Sequence, residues 1–230
     1  CIASGAYDLG CQSSDAGQPG YAADCTGTNR GLEYGSVAVD AFCIDKYPVT
    51  AAEYVAWSND NLLTLPASGT TRELQYNCDH PATHIDWFQA EAYCAGHAAR
   101  LCTETEWEAA ARGTDSRTYP WGNVDPTGCN EVNWFFCQPG NPGWPGGFGP
   151  STSVDAFPGG ASQLGIFDME GNVFQWTSTP DPLIAERRVL RGGYMNASDI
   201  LYLRSWRRYG GYESTVSGFY GFRCCETDSP

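Results

Sequence analysis

Lysine is nearly missing from this 230-residue chain. Lys46 is the only one, and 27 carboxylates face 13 basic side chains for a formal charge of −14. A surface of that sign repels phosphate backbones and anionic headgroups, which argues against nucleic-acid and anionic-membrane partners. No uninterrupted apolar run approaches the roughly 18 residues that span a bilayer as a helix. Histidine is also scarce: there are three, His80, His84 and His97. Pro81 forbids the helix that would bring His80 and His84 to one face, so their spacing of four is not a metal pair. The sequence has no C-x-x-C, and no cysteine between Gly193 and Cys224.

What the chain has instead is 27 Gly and 14 Pro, with 8 Trp, 13 Tyr and 10 Phe to supply apolar mass. That composition reads as one rigid, loop-heavy, aromatic-rich domain over residues 1–230, of mixed α+β class with little regular structure. Eleven cysteines without metal spacing indicate a disulfide framework made in an oxidising compartment, so a secreted or cell-surface protein is expected. The odd count leaves one over, and Cys1 is the natural candidate: either a lipid-anchored first cysteine or a processing boundary. Cys11 and Cys25 bracket a Gly, Ser and Asp-rich loop that a disulfide would staple, and Cys129 and Cys137 would close a small loop. Seven arginines from Arg187 to Arg223 crowd the last quarter. Buried ion pairs with the acidic excess explain them more simply than an anion site does.

Three helix starts are legible. Thr50 with Glu53, Asp86 with Gln89, and Thr103 with Glu106 each have capping-box spacing. Strands are expected in I-A-S-G-A-Y-D-L-G-C, in V-D-A-F-C-I-D-K-Y-P-V-T, over 153–157 and over 188–191.

The stretch from Leu164 to Thr177, L-G-I-F-D-M-E-G-N-V-F-Q-W-T, is too apolar for a surface loop and too interrupted for a regular element. It reads as a buried irregular turn, whose carbonyls need side chains, water or a cation as partners. Asp168 and Gln175, with the carbonyls of Gly171 and Val173, can supply four oxygens to a hard cation such as calcium. On spacing alone, a hydrogen-bonded loop without metal is favoured.

In order along the chain stand F-C-I-D-K-Y-P-V-T, H-P-A-T-H-I-D-W, A-E-A-Y-C-A-G-H-A-A-R-L-C-T-E-T-E-W-E-A-A-A-R-G, Y-P-W-G-N, the Leu164–Thr177 stretch, R-V-L-R-G-G and G-F-R-C. In these segments the chain resembles the formylglycine-generating enzyme (sulfatase-modifying factor) family. The resemblance implies that family's variant of the C-type lectin fold. It favours structural calcium at Asp168, Gly171, Val173 and Gln175, at a site weakened because Gln175 stands where an acid is usual. A second family calcium site maps near Asn133 and Trp134, where no acid follows before Pro150 to complete it. The resemblance also pairs Cys94 with Cys224, and leaves Cys102 and Cys225 beside them for a second bridge.

The family's copper is held by two cysteines, soft ligands suited to copper(I), whose positions fall at Ala197 and Tyr202. Neither copper nor formylglycine formation is therefore expected, and the chain reads as a member lacking the catalytic pair. A branch using iron held by three histidines is not matched either, because it draws them largely from an added helical domain. Tyr194, Asn196, Tyr202, Trp206, Tyr209 and Tyr212 lie in a Tyr, Ser, Gly and Asn-rich segment of the kind used in recognition loops. The expected role is a non-catalytic binding or assembly module for a protein or glycan ligand, or for a second copy. The competing expectation is a metal-dependent oxidase with a divergent site, and Tyr202 and Trp206 can alternatively fill a vacated catalytic pocket.

Overall fold

A computed structural model describes residues 1–11, 35–61, 78–126, 129–135 and 151–227. Among the described residues, nine short strands and three α-helices follow one another. They are β1 (Gly5–Asp8), β2 (Ser36–Val39), β3 (Phe42–Ile44), α1 (Ala51–Asp60), α2 (Trp87–Gly96), β4 (Arg100–Leu101), α3 (Glu104–Arg112), β5 (Phe174–Pro180), β6 (Arg187–Arg191), β7 (Tyr209–Tyr212), β8 (Tyr220–Phe222) and β9 (Cys224–Thr227). The described strands form a β1-β2 hairpin, a three-stranded sheet β3-β9-β4 and a four-stranded sheet β7-β6-β5-β8 in which β5 and β8 run parallel.

All three helices begin at the expected caps, with reciprocal bonds in each: Thr50 with Glu53, Asp86 with Gln89, and Thr103 with Glu106. Gly113 ends α3 with φ +63°, a conformation that costs glycine little. The strand expected over 153–157 is not one. The segment makes turns that lead into a 3-10 turn at Pro158–Gly160, where a Cβ on Gly160 would lie 1.8 Å from the carbonyl oxygen of Glu131. Alternating side chains there meet a neighbouring loop, not a partner strand.

Two packed clusters share the interior. One surrounds Tyr54, Ile85, Tyr93, Leu101, Trp176 and Phe222, and the other surrounds Leu9, Phe42, Trp107, the alanines of α3 and Met169. Strand β9 stitches them together. Adjacent strand residues face opposite sides. Cys224 reaches Cys94 of α2 in the first cluster, and Cys225 reaches Cys102, just before α3, in the second.

Cys1 is not the unpaired cysteine. It is bonded to Cys43, and a sulfur held in that bridge is not available for a lipid thioether. The free thiol among the described residues is the exposed Cys78. Cys11 and Cys129 are disulfide-bonded, but the expected partners Cys25 and Cys137 lie outside the described residues. A chain with these bridges belongs to an oxidising compartment. Among the described residues, no helix is long and apolar enough to cross a membrane.

Candidate functional site

The Leu164–Thr177 stretch stays irregular up to Val173 and then becomes β5. Its turns are made at positive φ by Gly165, Asp168, Gly171 and Asn172. Asn172, fully buried, acts as the local hub. Its Nδ2 donates to Asp168 Oδ2 at 2.9 Å and to the carbonyl of Thr152 at 3.0 Å, while its Oδ1 accepts from the Thr152 amide at 3.0 Å. Its own amide donates to the carbonyl of Asn133, and its carbonyl accepts from Met195. Loops near residues 133, 152 and 195 are thereby held to one side chain and its backbone.

Gln175 is the second hub. Its Oε1 accepts from Trp107 Nε1 at 2.9 Å and from Arg223 Nε at 2.7 Å, and its Nε2 donates to the carbonyl of Asp168 at 2.6 Å. Arg223, 1% exposed, spends its remaining nitrogens on the carbonyls of Asp45, Phe167 and Asp168 at 2.7–3.0 Å. Burial pulls the Arg223 guanidinium down to about 10, with Asp168 and Asp45 opposing the shift. Burial also pushes the Asp168 carboxyl up to about 7, against the opposing Asn172 bond and Arg223 charge.

These contacts test the calcium expectation. Both in-plane lone pairs of Gln175 Oε1 are already used, so Gln175 does not fit as a calcium ligand in this arrangement. Asp168 and the carbonyls of Gly171 and Val173 are left, well short of the six to eight oxygens calcium takes. Among the described residues, no group of three His, Cys, Asp or Glu side chains could hold a metal ion. The Arg223 guanidinium donates to the carbonyls of Phe167 and Asp168 in this turn.

The chain after Gly193 is tied down by a buried charge network that sequence reading did not locate. Glu104 and Glu108 project from one face of α3. Arg191 bonds both, at 3.0 and 2.7 Å. Arg112 bonds Glu108 at 3.1 Å, and Arg208 bonds Glu104 through two nitrogens. The i, i+4 glutamates on an otherwise alanine-rich helix were the available signal. Glu170 is fully buried beside this network, and burial raises its pKa well above the usual range against the opposing Ser205 hydroxyl and Arg191 charge.

Above the network sits a connected set of rings. Tyr194 stacks on Phe174 at 4.8 Å, Tyr202 stacks on Tyr209 at 5.5 Å, and Phe174 meets Tyr209 at 4.7 Å. Arg207 lies over both Tyr202 and Tyr209 and donates from Nε to the Tyr209 hydroxyl at 2.9 Å. Tyr194, Tyr202 and Tyr209 are half-buried, whereas Tyr212 on the edge strand β7 is 53% exposed beneath Arg187. Two expected contact residues face inward instead: Asn196 and Trp206 are 9% and 2% exposed. Trp206 packs against Cys11 between the guanidinium groups of Arg112 and Arg204, so its ring serves the interior. Ala197 is buried against Tyr119, Val132, Trp134 and Leu203.

A family model described as the sulfatase-modifying factor enzyme 1-like domain matches residues 4–227. The chain belongs to that family. It is 37% identical over 170 residues to the inactive C-alpha-formylglycine-generating enzyme 2 of Mus musculus, covering 70% of the chain and 53% of the relative. It is 32% identical over 181 residues to the formylglycine-generating enzyme of Mus musculus, covering 70% and 48%. The hercynine oxygenase of Mycolicibacterium thermoresistibile is 32% identical over 226 residues, covering 74% and 48%. The chain thus spans about half the length of the curated relatives it matches.

Among solved structures, PvdO from Pseudomonas aeruginosa superposes with a TM-score of 0.74 at 20% identity, covering 98% of this chain and 92% of that one. Treponema denticola variable protein 1 follows at 0.70 and 18%, covering 98% and 93%. These likenesses show the fold, the formylglycine-generating-enzyme variant of the C-type lectin architecture.

Proposed function

We propose that this domain is a non-catalytic member of its family that works outside the cell as a binding or assembly module, through the aromatic surface of residues 194–220. The observation carrying the proposal is what occupies the two positions where the family's copper cysteines fall. Ala197 is a methyl group sealed in the interior, and Tyr202 is a ring stacked on Tyr209. Neither offers a thiolate, and soft copper(I) chemistry needs one. The rings fill the region and leave Tyr194, Tyr202, Tyr209 and Tyr212 at least partly open to a partner, with Arg207 and Arg187 laid across them. Such amphipathic rings give contact area at low entropy cost. A relative named as an inactive enzyme supports the same reading.

The experiment has two arms. Purified protein with copper and a Cys-x-Pro-x-Arg peptide is expected to leave the peptide thiol unchanged, and conversion to formylglycine would overturn the reading. A glycan array and a measurement of self-association, each repeated with Tyr212→Ala, would identify the partner class. Binding or association that Tyr212→Ala weakens is the expected result. A metal-dependent oxidase is the second reading, favoured by the relatives named as hercynine oxygenases. Stoichiometric iron or copper in protein purified without added metal would establish it.

A further inference from the structure

A second concave surface lies at the three-stranded sheet and shares no residue with the aromatic loop. It is a cavity of about 440 Å³ between the β3-α1 connection, the end of α2 and β9. Its walls bring together Asp45, Glu53 and Glu226 with the rings of Tyr47, Tyr93 and His97. Tyr93 is the informative member. Its side chain is 7% exposed and lines the cavity, and its hydroxyl has no hydrogen-bond partner among the described residues. The phenol of a largely buried ring usually finds a partner.

Several of the other polar atoms at this cavity are acceptors. Asp45 uses Oδ2 on the Cys224 amide at 2.9 Å, leaving Oδ1. Glu53 uses Oε2 on the Thr50 amide and hydroxyl at 2.8 and 2.7 Å, leaving Oε1. His97 Nδ1 lies 2.9 Å from the carbonyl of Tyr93, which can only accept. Nδ1 is therefore assigned as the donor of this contact. The His97 ring lies against Tyr93 at 4.4 Å, so an aromatic wall adjoins the acceptors. Lys46 also borders the cavity, with its ammonium over the Tyr47 and Phe167 rings at 5.3 and 5.2 Å. Burial, aided by the charges of Glu53 and Asp45, raises the Tyr93 phenol to about 12, in keeping with an oxygen close to both carboxylates.

We propose that this cavity binds an organic cation rich in N–H donors, an alkylguanidinium or primary alkylammonium, either free or at the tip of an Arg or Lys side chain. Asp45, Glu53 and Glu226 outnumber Lys46 in the lining, so the cavity carries a negative excess that a cation offsets and a neutral ligand does not. A metal ion is a poor match, because no three of the acidic and histidine groups converge on a point among the described residues. A cation several ångströms long places its nitrogen protons against Asp45, Glu53 and the Tyr93 oxygen, and its carbon stem against the rings.

Titration of the full chain at low salt with agmatine, which carries a guanidinium and an ammonium, tests this by calorimetry. Saturable one-to-one binding is expected, with N-butylurea, similar in shape but uncharged, at least about tenfold weaker. Asp45→Asn, Glu53→Gln and Tyr93→Phe should each lower agmatine affinity about three- to tenfold. Glutamine keeps the capping box of α1 and phenylalanine keeps the ring contacts, so the variants should fold. Circular dichroism checks that they do. Equal binding of agmatine and N-butylurea would overturn the proposal, as would unchanged affinity in all three folded variants or no binding at millimolar agmatine. Displacement by equimolar calcium would overturn it in favour of a metal site. A blocked arginine amide that binds as well as agmatine points to a side chain as the natural occupant, and weaker binding of that amide points to a free amine. Both outcomes support the cation site.

Discussion

The Leu164–Thr177 turn and the ring cluster after Gly193 are neighbours held by different means. Around the turn, Asn172 is committed to Thr152, Gln175 to Trp107, and Arg223 to Phe167 and Asp168. After Gly193, Arg208 anchors the backbone to buried Glu104, while the rings of Tyr194, Tyr202 and Tyr209 stack with their neighbours and stay half-buried. A hydrogen-bonded hub tolerates no replacement, because losing one partner strands the rest in a dry interior. A stacked cluster tolerates exchange of one ring for another of similar size.

The comparison breaks most sharply at Arg223. Arg223→Met removes the buried cation and leaves Gln175 Oε1 and three carbonyls short of donors, so a loss of about 3 to 5 kcal/mol is expected in urea unfolding. The same substitution at Arg207, over the exposed rings, should cost less than about 1 kcal/mol. Equal effects would erase the distinction between the two regions. Next in size is Cys94→Ala, which opens the bridge to Cys224 and should cost about 2 to 5 kcal/mol. An unchanged melting midpoint would mean the bridge contributes nothing.

A pH comparison sharpens the role of Asp168. Its folded pKa, about 7, lies above the ordinary aspartate value of 3.8, so folding takes up a proton between those limits. Stability from the neutral carboxyl is complete below about pH 4 and is lost as pH rises towards 7. Asp168→Asn should therefore match the wild type near pH 4 and exceed its melting temperature at pH 8. Repeating the pH 8 measurement with millimolar calcium should leave the wild type unchanged. A calcium-dependent rise that Asp168→Asn abolishes would show that the ion displaces the internal bonds of this turn. The smallest stability effect is expected at Tyr212, where Tyr212→Ala should shift stability by less than about 0.5 kcal/mol while weakening partner binding.

Some features were legible because their causes are local. Thr50, Asp86 and Thr103 announce three helices within four residues of each start. The absence of a thiol at Ala197 and Tyr202 is a matter of composition, which folding cannot alter. Other expectations depended on distant partners and went differently. Residues 153–157 have a strand-like run but form turns, with the Val154 amide bonded to the Asp79 carbonyl, and Trp206, read as either a contact residue or a pocket filler, points inward. Gln175 read as a metal ligand because a sequence shows that an oxygen exists, not which donors already reach it.

The sequence by itself determined the family, the helix starts, the oxidising setting implied by its cysteines and the absence of a thiol at Ala197 and Tyr202. Tertiary structure alone decided that Cys1 joins Cys43 and that Arg208 reaches back 104 residues to Glu104. It also decided that a guanidinium, Arg223, carries the positive charge within the buried turn. Capping and composition act within a few residues of backbone, whereas the pairing of buried charges and sulfurs depends on which distant segments share the interior.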